Sequence, residues 1–220
     1  MLPRHERRTS DDAQEDANRW MVEGVRKGLR VVRLKGGNGF VFGRGGEEVL
    51  YLRREGIRDV EIVPGLTSCV AAGEAAMIPV THRGVADQFC VITGRGEGGR
   101  MPSIPLYDAR RTIVIMMGIG RIGMLVNQCI EEAAFPSNTP VAVVEKGTWE
   151  AQKIVRGRLD SIEKLVMDRG IRNHSIIYIG GVVAVLAEGD EEIMAMSEEM
   201  KMANIADEGI DVGRYELIHT

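Results

Sequence analysis

Val31-Val-Arg-Leu-Lys-Gly-Gly-Asn-Gly-Phe-Val-Phe-Gly-Arg-Gly-Gly-Glu-Glu48 decides the fold. A short apolar segment, Val31 to Leu34, reads as a strand. It feeds a loop in which Gly36, Gly37, Gly39, Gly43, Gly45 and Gly46 permit turns that a Cβ resists. Glu47 to Arg54 then reads as a helix, stopped by Gly56. Strand, glycine loop and helix in succession is where open α/β sheets bind ligands. Basic residues Arg33, Lys35 and Arg44 flank the loop. It is not a Walker A loop, because no Gly-Lys-Ser/Thr follows at the required spacing. Nor is it the dinucleotide fingerprint, since Gly37, Gly39 and Gly43 are spaced by one and three residues rather than one and two.

The alternation continues outward. Upstream, Thr9-Ser-Asp-Asp12 caps a helix whose apolar positions Ala17, Trp20, Met21 and Val25 recur at helical spacing until Gly28. Downstream, Val60 to Val63 reads as a strand closed by Pro64-Gly65, and Ser68 to Met77 as an alanine-rich helix. Strands are expected at 89–93, 112–117, 141–144 and 175–179, and helices at 122–132 and from about Arg158 to Leu165. The pattern predicts an α/β protein with parallel sheet character. The expected division is a first α/β lobe over 1–85, a second over 86–187 and an acidic, Met-rich tail over 188–220.

Composition sets limits. In 220 residues, 44% are hydrophobic and 27% charged, enough for one or two globular domains. The net charge of −4 argues against general nucleic-acid binding, so an anionic ligand must be drawn by a local basic cluster. Cys69, Cys90 and Cys129 are odd in number and in no metal spacing, and read as apolar thiols of a reducing compartment. No segment has the length of a membrane span, and no secretory signal is evident, so the expectation is a cytoplasmic chain with no membrane and no metal.

The motifs also carry a resemblance. Arg-Leu-Lys-Gly-Gly, then Phe-x-Phe-Gly-Arg-Gly-Gly-Glu-Glu, resembles the signature of uroporphyrinogen-III C-methyltransferases within the tetrapyrrole methylases. The likeness continues through Val63-Pro-Gly-Leu-Thr-Ser68, Ile78-Pro-Val-Thr-His-Arg83, Ile92-Thr-Gly94, Met117-Gly118 and Val143-Val-Glu-Lys-Gly-Thr148. It implies two α/β lobes with the ligand cleft between them, and methyl transfer from S-adenosylmethionine to uroporphyrinogen III. The product, precorrin-2, serves siroheme and cobalamin synthesis, and a homodimer is implied. By the same match Gly36, Gly37, Asn38, Val41, Thr67, Ser68, Met117 and Gly147 contact the cofactor. This chain departs from the family at Asn38, where an Asp is usual, and at Gly39, where a Pro is usual.

Taken as residues, Arg33, Lys35, Arg44 and Arg83 are the candidate clamp for the eight carboxylates of such a substrate, with His82 and Arg95 as further members. Glu47 and Glu48, at a helix start, suit the helix dipole better than catalysis. Family members usually open with a further strand, a Gly-x-Gly-Pro-Gly-Asp loop and a proton-accepting aspartate. Met1 begins past these, so the resemblance implies a first lobe without them. Two other readings stay open: a catalytically impaired or non-catalytic protein that binds S-adenosylmethionine or a tetrapyrrole, and a nicotinamide oxidoreductase using Asp59 or Glu61.

Overall fold

The computed structural model describes residues 10–187. The tail expected at 188–220 and the capping residue Thr9 lie outside the described residues. The chain divides into two compact units, Met1–Thr67 and Ser68–Thr220. Residues 68–85 therefore group with the second unit, whereas the sequence placed the division near 85.

In the first unit, α1 (Ser10–Arg26) and α2 (Gly45–Arg54) are the regular elements. They pack through Met21, Val22 and Leu52, with Tyr51, Ile57 and Val60 alongside. Neither Val31–Leu34 nor Val60–Val63 is a strand, which corrects the expectation for both. Their β-branched, apolar composition suits a strand, but strand structure requires a hydrogen-bonded neighbour, and no ladder among the described residues includes either segment. Val32, Leu34 and Val63 accordingly stand about four-fifths exposed.

The second unit holds α3 (Ser68–Ala75), β1 (Gln88–Thr93), β2 (Arg111–Met116), α4 (Ile122–Asn127), β3 (Pro140–Glu145), β4 (Lys153–Arg158), α5 (Leu159–Asp168), β5 (Ser175–Ile179) and α6 (Val182–Val185). A π-helical turn, Gln128–Glu132, extends α4 and buries Cys129. The five strands form one sheet in the order β1-β2-β5-β3-β4. It is mixed, not parallel: β1 and β2 run together, while β5 lies antiparallel to both β2 and β3, and β3 to β4. β4 is an edge strand the sequence did not suggest. Its Lys-Ile-Val-Arg-Gly-Arg run has no apolar alternation, because only Val155 and Gly157 turn fully inward.

Side-chain alternation splits the core across the sheet. Ile113, Ile115, Val141, Val143, Ile177 and Ile179 share one cluster with residues of α4 and α5. Val114, Ala142, Val144, Ile176 and Tyr178 share the other with α3 and α6. Tyr178 is wholly buried and donates its hydroxyl to the Cys69 carbonyl at 3.2 Å, tying α3 to the sheet. Cys69 and Cys129 are buried and all three cysteines are free thiols. Burial pushes the Cys129 thiol up to about 12, so it stays protonated at neutral pH.

Candidate functional site

The glycine loop in the first unit is closed by its own backbone. Gly45 N–H donates to the Gly39 carbonyl at 2.9 Å, and a Cβ on Gly43 or Gly45 would lie 2.6 Å from that oxygen. Those two glycines are therefore required by the turn itself. The loop is also laid against the Pro64-Gly65-Leu66 segment: a Cβ on Gly65 would come within 2.3 Å of the Gly37 carbonyl, and Gly37 has φ +72. Asn38 joins the two segments. Its Nδ2 donates to the Gly65 carbonyl at 2.9 Å, while its Oδ1 accepts from the Phe40 and Val41 amides at 2.8 and 3.1 Å. Gly36, in contrast, has nothing within 4 Å of an added Cβ and faces open space.

The basic residues around the loop have acidic partners. Glu48 is buried on α2, and its Oε1 accepts from Gln14 Nε2 at 2.8 Å, Lys35 Nζ at 2.9 Å and Arg33 Nε at 3.1 Å. Burial raises the Glu48 carboxyl, but hydrogen bonds from Gln14 and Lys35 and the charges of Arg33 and Lys35 outweigh it, leaving it below its ordinary range. Glu48 is thus a hub, while it and Glu47 also lie in the first turn of α2 as the sequence suggested. Glu47 meets Arg44 instead, at 2.8 and 2.9 Å, and Arg44 also reaches Asp11 at 2.7 Å. The Glu47 hydrogen bond, partly offset by desolvation, raises the Arg44 guanidinium. Arg44 precedes α2 with φ 58, in the left-handed region.

In the second unit the site residues follow strands. β1, β2 and β3 point the same way, so Gly94, Met117 and Lys146-Gly147 emerge at one edge of the sheet. His174, just before β5, lies at the same edge and accepts the Lys146 amide on its carbonyl at 2.9 Å. Met117, Lys146, Thr148 and His174 all have positive φ, a concentration of strained backbone at this edge. Gly94 and Gly118 touch, since a Cβ on Gly94 would fall 2.3 Å from the Gly118 Cα. Met117 is half exposed. Gly147 is glycine for packing: a Cβ there would sit 2.5 Å from the Ala72 Cβ of α3. That space, which the sequence suggested a ligand might use, belongs to the protein.

The predicted residues thus fall into two groups. Gly36, Gly37, Asn38 and Val41 share one loop in the first unit, where Thr67 is the last residue; Ser68, Met117, Gly147 and Arg83 are in the second. Arg83 is exposed at the tip of a turn closed by His82 and Ala86, and forms no ion pair among the described residues. His82 Nδ1–H donates to the Arg83 carbonyl at 2.9 Å. The Glu48 hub and the edge residues Trp149 and His174 were missed in the sequence. Trp149 stacks on His174 with ring centres 6.2 Å apart and planes at 25°. A hollow of about 500 Å³ between α4 and α5, beside Glu163 and Arg172, includes none of the expected binding residues. No cluster of potential metal ligands and no helix long and apolar enough to cross a membrane occurs among the described residues.

Comparison with known proteins gives this geometry its family. Residues 2–163 match the model of the Tetrapyrrole (Corrin/Porphyrin) Methylases. The uroporphyrinogen-III C-methyltransferase of Methanocaldococcus jannaschii is 42% identical over 175 residues, which are 79% of this chain and 72% of that protein. The enzyme of the same name from Methanobacterium ivanovii is 44% identical over 151 residues, 68% of this chain and 64% of its own length. A crystal structure of uroporphyrin-III C-methyltransferase from Thermus thermophilus, complexed with S-adenyl homocysteine, superposes with a TM-score of 0.70 at 34% identity, covering 82% of this chain and 77% of that one. The chain belongs to the tetrapyrrole (corrin/porphyrin) methylases.

Proposed function

We propose that this protein is an S-adenosylmethionine-dependent C-methyltransferase acting on uroporphyrinogen III, with precorrin-2 as product. The observation that carries the reading is the Arg33–Glu48 run, ordered as one closed loop with open space at Gly36, in a chain 42% identical to a protein of that activity. Two observations support the cofactor. Gly36 leaves free space beside its backbone, and Met117 stands half exposed at a strand end.

The proposed contacts to S-adenosylmethionine are Gly36, Gly37, Asn38, Val41 and Thr67 of the first unit and Ser68 and Met117 of the second, with Gly147 reduced to a backbone role because its side-chain space is filled by Ala72; the cofactor supplies an electrophilic methyl group on a sulfonium. The pyrrole carbon supplies the electron pair, the methyl–sulfur bond breaks to leave S-adenosylhomocysteine, and the methylated ring then loses a proton to a base, so the demand on the protein is chiefly alignment and exclusion of water. Asn38 fixes the loop shape, and Gly147 seats its turn on α3. Arg83 offers an uncommitted guanidinium to substrate carboxylates. Arg33 engages Glu48 and the Leu34 carbonyl through Nε and Nη1, which leaves donors of its fork for a second carboxylate. Lys35 and Arg44 are the other proposed carboxylate contacts. A homodimer, a cytoplasmic setting and no nucleic-acid partner belong to the same proposal.

Calorimetry on the purified protein separates this reading from a nicotinamide enzyme. Saturable binding of S-adenosylhomocysteine with no heat from NADH is the expected result. The reverse pattern overturns it.

A further inference from the structure

Trp149 is an exposed indole at the sheet edge that also carries Met117 and Gly147. It is 60% exposed, and its ring lies near-parallel to that of His174, at 25° with centres 6.2 Å apart. Its turn is held in place. Trp149 N–H donates to the Lys146 carbonyl at 3.0 Å, and Gln152 N–H donates to the Trp149 carbonyl at 3.0 Å. The Gln152 side chain accepts from the Thr148 amide at 2.8 Å and donates to the Ala75 carbonyl at 3.0 Å, pinning the turn to the end of α3. A large aromatic ring, backed by a second ring and mounted on a fixed turn, loses little freedom when a flat molecule stacks on it.

The geometry points to Trp149, backed by His174, as a stacking shelf for a planar heteroaromatic ring, the adenine of the proposed cofactor. This rests on the cofactor reading above. Uroporphyrinogen, whose pyrroles are joined through saturated carbons, presents no extended flat face, so adenine is the planar partner. His174 acts as a positioning residue: its ring backs the indole, and its carbonyl holds Lys146.

The chain has two tryptophans, and the other, Trp20, lies on α1 in the first unit. Trp20→Phe therefore makes Trp149 the sole indole reporter. In that background S-adenosylhomocysteine and adenosine should both quench the emission saturably, at the affinity calorimetry gives, while homocysteine should not. Trp149→Ala should weaken S-adenosylhomocysteine about tenfold, the scale of one lost base–aromatic stack, and Trp149→Phe should retain most of the affinity. If S-adenosylhomocysteine binds calorimetrically but neither disturbs the indole nor notices Trp149→Ala, the shelf is overturned and the cofactor reading stands. No heat from the parent protein removes both.

Discussion

The Asn38 side chain donates to the Gly65 carbonyl at 2.9 Å, and this bond joins two motifs 27 residues apart. An aspartate, the usual family residue, could still accept from the Phe40 and Val41 amides. It could not donate to Gly65, and its second oxygen would face that carbonyl. The substitution in this chain is therefore matched to its loop. What the sequence presents as a lost charge is a gained donor.

Asn38→Asp should accordingly destabilise the first unit by about 0.5–1.5 kcal/mol, the net value of one solvent-accessible hydrogen bond, and should not tighten S-adenosylhomocysteine. Urea titration and calorimetry on the same preparation check both halves. Tighter cofactor binding without loss of stability would show that the lost charge dominates.

Glu48 predicts a pH signature. Its folded-state carboxyl lies below the ordinary value of 4.5, so it contributes stability above that value and loses it as the pH falls through the lower folded value. Glu48→Gln should cost about 1–3 kcal/mol at neutral pH, because Arg33 and Lys35 lose a buried charged acceptor. The gap between parent and variant should close in acid. A gap that does not change with pH would mean the carboxylate charge contributes nothing.

Arg44 and Arg83 should separate stability from binding. Arg44 bridges α1 and α2 through Asp11 and Glu47, and removing these part-exposed contacts should cost at most about 1 kcal/mol of stability. Arg83, with no ion pair among the described residues, should leave the melting temperature unmoved. Arg83→Ala should instead weaken uroporphyrinogen about tenfold or more and spare S-adenosylhomocysteine. Equal uroporphyrinogen affinity in parent and variant would remove Arg83 from the clamp.

Gly147→Ala drives a methyl group to 2.5 Å from the Ala72 Cβ, and should cost about 1–3 kcal/mol as α3 or the Lys146–Thr148 turn shifts. The measurement is thermal unfolding, paired with near-ultraviolet dichroism for the buried Tyr178 that tethers α3. A neutral outcome would show that the turn yields freely.

The second unit was legible where burial imposes periodicity. β2, β3 and β5 are short apolar runs bounded by turn residues, and each fell within a residue or two of its expected place. β4 was not, because an edge strand needs few inward side chains and its Lys and Arg residues resemble a loop. The first unit shows the opposite error. Val31–Leu34 and Val60–Val63 have strand composition, but strand structure depends on a neighbour that composition does not report. The Glu48 hub was hidden for the same reason: Gln14, Arg33 and Lys35 lie 34, 15 and 13 residues away in sequence. Spacing rules for a single helix cannot reveal such a contact.

The most direct test is anaerobic incubation of the protein with uroporphyrinogen III and S-adenosylmethionine carrying an isotopically labelled methyl group, followed by mass spectrometry of the tetrapyrrole. The account predicts labelled products bearing one and then two added methyl groups on carbon, with S-adenosylhomocysteine released in equal number. An unlabelled tetrapyrrole, recovered from protein that calorimetry shows to bind S-adenosylhomocysteine, would contradict it.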